Sequence, residues 1–198
     1  MSRLDQEGIV SRLSAQVNLA GGHFERVRDL KGASAYVTKI ALARNAKRIV
    51  LSGDSLSSEL LNQIAQGGLF EVTSYANSSR EDFYKALGVA EIGVSSADLA
   101  VAETGTLIIS TSDESNRLVT ALPEVHVAIV PCSALVSSLK EAGPYLSDTI
   151  RKRTGAVTVS LISASSRTSD IADIVILGVH GPKELHVLLL EWERQRGF

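Results

Sequence analysis

In the first ninety residues, stretches with apolar side chains at helical spacing alternate with short aliphatic runs. Leu4, Ile9, Leu13, Val17 and Ala20 are loosely helical and Gly21-Gly22 closes them, which predicts a helix over 4–19. Residues 23–27 predict a short strand, 33–46 a helix, and 48–52 a buried strand closed by Gly53-Asp54. Ser55 or Ser57 is expected to cap the next helix, which carries Leu60, Leu61 and Ile64 and stops at Gly67-Gly68. A strand over 70–73 and a helix over 79–87 continue the rhythm. Regular alternation of strand and helix predicts a parallel sheet covered by helices.

The rhythm changes after Gly88. Runs at 90–94, 99–102 and 106–109 lie close enough together for antiparallel pairing or a split strand. Val125-His-Val-Ala-Ile-Val130 predicts a strand ended by Pro131. Residues 134–153 are mostly helical in pattern, with an interruption expected at Gly143-Pro144, and strands over 157–162 and 185–190 are expected to finish the sheet. There is no repeat, low-complexity segment or linker. The expectation is one mixed α/β domain over 1–198, with 1–22 as an N-terminal helical extension.

Composition narrows the function classes. A hydrophobic content of 44% and a mean hydropathy of +0.14 argue against disorder. A formal net charge of -2 leaves no electrostatic footprint for nucleic acid, and Arg151-Lys152-Arg153 reads as a helix end favouring the negative pole of its dipole. Charges at the N-terminus stand where a signal peptide has its apolar stretch, and no apolar run is as long as a membrane span. Cys132, the single cysteine, permits no internal disulfide, so a cytoplasmic protein is expected.

Three polar clusters carry candidate chemistry. Glu103-Thr104-Gly105-Thr106 lies between two apolar runs; Gly105 allows a bend, and the freed N–H groups with the two hydroxyls suit an anionic or polar ligand. A β-hairpin with a polar tip fits the same residues. In Ser165-Ser166-Arg167-Thr168-Ser169-Asp170, Arg167 offers a planar fork for a carboxylate or phosphate, the neighbouring hydroxyls add donors, and Asp170 orients the arginine or caps a turn. A Ser/Thr-rich surface loop is the plain alternative. In His180-Gly181-Pro182-Lys183, His180 is placed to bind a polar group or shuttle a proton. Arg117 offers a further anion clamp, or a surface ion pair with Asp113 or Glu114. Glu103 is the natural general base or nucleophile. His126 and His186 alternate with apolar strand residues and read as structural, and His23 has no supporting context. None of the four histidines has zinc-protease spacing, so no metal site is expected.

Ala102-Glu-Thr-Gly-Thr-Leu-Ile-Ile109 resembles the signature of the lactate-utilisation protein C family, the LUD domain. The likeness continues, in the family's order, through Asn116-Arg-Leu118, 121–130, Ser166-Arg-Thr-Ser-Asp-Ile171 and 178–187, and covers roughly the C-terminal half. Ser169 stands where alanine is expected. The resemblance implies a fold shared with ribose-5-phosphate isomerase, glucosamine-6-phosphate deaminase and coenzyme A transferases, with ligands beyond the carboxyl ends of the strands. It also implies a role in L-lactate utilisation, with Glu103 and His180 as catalytic candidates. Thr104, Gly105, Thr106, Arg117, Ser166, Arg167, Thr168, Asp170, Gly181 and Lys183 are the candidate contacts to a small anion. Oxidation of lactate to pyruvate removes two electrons, which ordinary side chains cannot accept. The chain lacks a G-x-G-x-x-G fingerprint, and one cysteine cannot ligate an iron–sulfur cluster. The expectation is therefore an accessory subunit without a cofactor of its own, beside iron–sulfur partner proteins. The alternative is a stand-alone enzyme acting on a small phosphorylated, acyl or coenzyme A-linked substrate.

Overall fold

Aspartate or serine side chains start three of the described helices, and glycine-containing turns follow several of them before a strand. The structure, a computed structural model, describes residues 3–152, 156–168, 176–178 and 180–191. Helix α1 (Arg3–Leu19) leads to β1 (His23–Val27), α2 (Leu30–Ala43), β2 (Arg48–Leu51), α3 (Ser55–Ala65), β3 (Glu71–Ser74), α4 (Arg80–Leu87) and β4 (Ile92–Ser96). One helix start and one cap differ from the sequence expectation. Asp29 starts α2 by accepting from Gly32 N at 2.9 Å, three residues ahead of the expected start. Asp54, not Ser55 or Ser57, starts α3, accepting from Ser57 N at 2.8 Å. Ser79 caps α4 through Asp82 N at 3.1 Å.

After β4 come β5 (Leu99–Val101), β6 (Thr106–Thr111), α5 (Glu114–Val119), β7 (Val125–Pro131), β8 (Leu135–Val136), α6 (Leu139–Lys152), β9 (Thr158–Ile162), β10 (Arg167–Thr168), β11 (Ile176–Leu177) and β12 (Glu184–Leu190). Helix α6 starts later than expected and runs unbroken through Pro144. Proline removes the N–H that would reach Lys140, and because both residues are exposed, the freed carbonyl faces solvent.

Six strands form an entirely parallel sheet in the order β1-β12-β7-β4-β2-β3. Its central strands are apolar on both faces, as a sheet covered on both sides requires. One face packs Ile49, Val127, Ile129, Leu188 and Leu190 under α2 and α3, through Val37, Ile40, Leu60 and Ile64. The other carries Ala128, Val130, Leu185, Val187 and Leu189 against Val10, Leu13 and Val17 of α1. Leu107 and Ile109 of a second sheet join that contact. This second sheet has the order β8-β5-β6-β9, with β6 antiparallel to both β5 and β9. Strand β9, expected to close the main sheet, belongs here instead. Helix α6 covers its far side through Ala142, against Val101 and Ile108. Among the described residues, strands β10 and β11 pair with each other alone. Among the described residues, no helix is long and apolar enough to cross a membrane.

Candidate functional site

A concavity lies at the amino edge of the parallel sheet, where β7 and β12 begin. Its volume is about 380 Å³, and its walls include Arg117, Thr120, His126, Ser163, Ser166 and His180. Strand β7 supplies His126 from its second position, on the face shared with Ala128 and Val130. Arg117 comes from the last turn of α5, Ser163 and Ser166 follow β9, and His180 and Gly181 lie in the turn before β12. Ser166 ties two walls together: its backbone N donates to the Pro182 carbonyl at 2.8 Å, and its Oγ accepts from His180 N at 3.3 Å. A methyl group at Gly181 would meet Ser166 Cβ at 3.2 Å, so the turn and the serine are closely fitted.

His126 is fully buried. Its Nε2 lies 2.9 Å from Ser95 Oγ on β4, while Nδ1 is buried without a hydrogen-bond partner. Burial, reinforced by the positive charge that His186 can carry, pushes its pKa down to about 4. The imidazole is therefore neutral near pH 7. Nδ1 is a donor or an acceptor according to the tautomer. Leaving such a buried polar atom unpaired costs about 1–3 kcal/mol.

The structure sorts the sequence candidates into three groups. Arg117, Ser166, His180 and Gly181 share the cavity wall. Thr106 reaches it indirectly, since its Oγ1 lies 2.7 Å from Thr104 Oγ1 and 2.8 Å from the wall residue Ser163. Gly105 holds that chain of hydroxyls in place by turning at φ 69° with α1 against it.

The remaining candidates lie elsewhere. Glu103 is exposed and its Oε2 accepts from Leu139 N at 3.3 Å, at the start of α6. Arg167 donates to the Ala20 carbonyl at the end of α1. Lys183 pairs with Glu124 at 2.6 Å on the surface. Thr168 pairs with Ile176 in the β10–β11 ladder, and Asp170 lies outside the described residues. The expected site beyond the carboxyl ends of the strands is a space of only about 50 Å³, lined by residues that bond to one another. There Asp54 Oδ2 accepts from Ser57 Oγ at 2.8 Å and Ser96 N at 3.2 Å, and Asp98 accepts from Ser110 Oγ at 2.8 Å. His126 and Ser163 were missed as cavity residues. A histidine in phase with small apolar residues of a central strand is indistinguishable, in sequence, from a fully bonded core histidine.

Residues 10–190, from within α1 to the end of β12, match the LUD domain. The chain belongs to the LUD-domain family. It is similar to "Lactate utilization protein C" of Geobacillus thermodenitrificans (strain NG80-2), with 35% identity over 96 residues, 47% of this chain and 39% of that protein. The protein of the same name from Oceanobacillus iheyensis is 25% identical over 178 residues, 85% of this chain and 75% of that protein. A solved structure of a DUF162 family protein from Deinococcus radiodurans superposes with a TM-score of 0.65 at 16% identity, covering 94% of this chain and 98% of that one. That likeness shows a common fold. The alignments to the Geobacillus thermodenitrificans and Shouchella clausii proteins span 39% and 41% of those relatives.

Proposed function

We propose that this LUD-domain chain serves L-lactate utilisation as an accessory subunit. It binds a small anion in the amino-edge cavity, beside partner proteins that carry iron–sulfur clusters. The observation that supports this most is one cavity wall that brings together Arg117, Ser163, Ser166 and the neutral His126. A carboxylate needs a cation and directional donors, and a neighbouring hydroxyl needs a group that can accept. Arginine, serine hydroxyls and a neutral imidazole form such a set. The names of the relatives supply the pathway. Electron balance supplies the partners, because lactate gives up two electrons and the lone Cys132 cannot provide the four thiolates of a cluster.

Reconstitution tests the reading. Lactate-dependent dye reduction by the iron–sulfur partners should fall when this chain is left out and return when it is restored. Arg117→Ala should fail to restore it while retaining the native circular dichroism. Oxidation that proceeds equally well without the chain rules out the accessory role.

One observation favours a second reading, a stand-alone enzyme for a phosphorylated, acyl or coenzyme A-linked substrate. At about 380 Å³ the cavity falls in the range that suits ligands larger than a three-carbon acid. That reading must find its base among the histidines of the wall, because Glu103 faces α6. Turnover by the purified chain in a metabolite screen, lost on His180→Ala, is the result that would establish it.

A further inference from the structure

On the opposite face of the sheet from the cavity, three side chains meet that sequence spacing gave no reason to group. Strands β1 and β12 are parallel neighbours in a register that pairs His23 with His186. The two rings stack, with centroids 4.5 Å apart and planes 22° apart. Glu184 lies two residues before His186 on the same strand, so its side chain emerges on the same face. Nitrogen or carboxylate atoms of His23, Glu184 and His186 all lie within 4.8 Å of one another.

The geometry points to a binding site for a zinc-like divalent cation, held by His23, His186 and Glu184. Two imidazoles and one carboxylate form a donor set suited to a borderline transition metal, and exposed His23 leaves one side open for water. The closest donor pair already has the right spacing. Glu184 Oε2 lies 3.3 Å from His186 Nε2. Metal–ligand bonds of about 2.0–2.2 Å place two donors on a tetrahedral zinc roughly 3.4 Å apart. Rotation of the exposed His23 ring brings in the third.

Supporting residues are also in place. The hydroxyl of Tyr36 on α2 lies 3.2 Å from His186 Nδ1 and fixes the ring from behind. The other oxygen of Glu184 is held by Arg44, at the end of α2. Tautomer choice separates two states of this cluster. With no cation, Nε2–H donates to Glu184 and Nδ1 accepts from the Tyr36 hydroxyl. With Nδ1–H donating to Tyr36, the Nε2 lone pair faces a carboxylate oxygen, an arrangement that a cation between them makes favourable. The guanidinium of Arg44 opposes a second positive charge, which sets the affinity below that of an unopposed site.

Cobalt(II) titration of the tag-free, chelator-stripped chain near neutral pH tests the site. The expected result is one equivalent bound, with visible ligand-field absorption displaced by zinc. His23→Ala should lower the affinity at least about tenfold, and Glu184→Gln likewise. Tyr36→Phe, which removes only the supporting hydroxyl, should lower it about tenfold. Because His23 is exposed, its alanine variant keeps the fold, and circular dichroism checks this. Absence of visible absorption up to millimolar cobalt, or binding unaltered in His23→Ala, overturns the assignment.

Discussion

Replacing Gly105 by alanine tests whether the glycine of the signature serves the fold or the ligand. Its φ of 69° lies in the left-handed region, which costs an alanine about 1–2 kcal/mol. A Cβ there would also sit 3.0 Å from Gln16 Cβ and 3.1 Å from the backbone of Gln16 and Val17. Those atoms belong to α1, which Leu13 and Val17 hold in the core at 0% and 1% exposure, so the helix cannot move away freely. Crowding of this kind costs about 1–3 kcal/mol, so Gly105→Ala should lose roughly 3 kcal/mol in all. For a chain of this size that is a fall in Tm of about 6–12 °C. Urea unfolding followed by circular dichroism gives the free energy directly, with the midpoint shifting and the slope constant. Gly105→Asn separates the two causes, since asparagine tolerates the left-handed region but meets the same helix. It should recover only the smaller, conformational part. A loss below about 1 kcal/mol for Gly105→Ala would refute the reasoning and return Gly105 to the list of ligand contacts.

Three further outcomes follow from the described contacts. His126 has a folded pKa of about 4 against an ordinary 6.5, so the unfolded chain binds the extra proton between these values and stability rises with pH across that window. Moving from pH 7 to pH 5 should cost on the order of 2 kcal/mol from this residue, and His126→Asn should flatten the corresponding part of a pH series of urea midpoints. Arg167→Ala should lower stability by about 1 kcal/mol through its lost bond to Ala20, yet leave ligand affinity measured by calorimetry unchanged. Glu103→Gln should cost only about 0.3–1 kcal/mol, the effect of removing a charge from a helix start, and should leave any activity of the chain in place.

The sequence made much of the layer structure legible, because strand and helix differ in period. The runs at 48–52, 125–130 and 185–190 are buried parallel strands, and 99–102 and 106–109 form an antiparallel pair, one of the two arrangements expected. Strand order was not legible, since β12 and β7 have the same apolar pattern and nothing local says which sheet position each takes. The helix starts were misplaced because aspartate and serine occur side by side at 54–57, and only the extended backbone at Asp54 selects between them. Pro144 reads as a breaker until its exposure is known. In the site, Arg117, Ser166, His180 and Gly181 share one wall, although they are scattered over more than sixty positions of the chain. Glu103 and Arg167 carry the same chemistry in sequence, but their partners are backbone groups contributed by remote helices. No local pattern reveals such partners.

The position of β12 between β1 and β7 also says something about how the molecule is born. Strands β2, β3, β4 and β7 can assemble as soon as they leave the ribosome, but among the described residues β1 has no partner strand until β12 arrives. An incomplete chain therefore exposes the open side of β7, an edge prone to pairing with other chains. Pairing β1 with β12 demands closure of a loop of more than 150 residues, a slow step. Both the cavity, through Leu185, and the His23–His186 pair rest on that final insertion. Neither forms before β12 is in place, so both depend on insertion of that strand into the sheet.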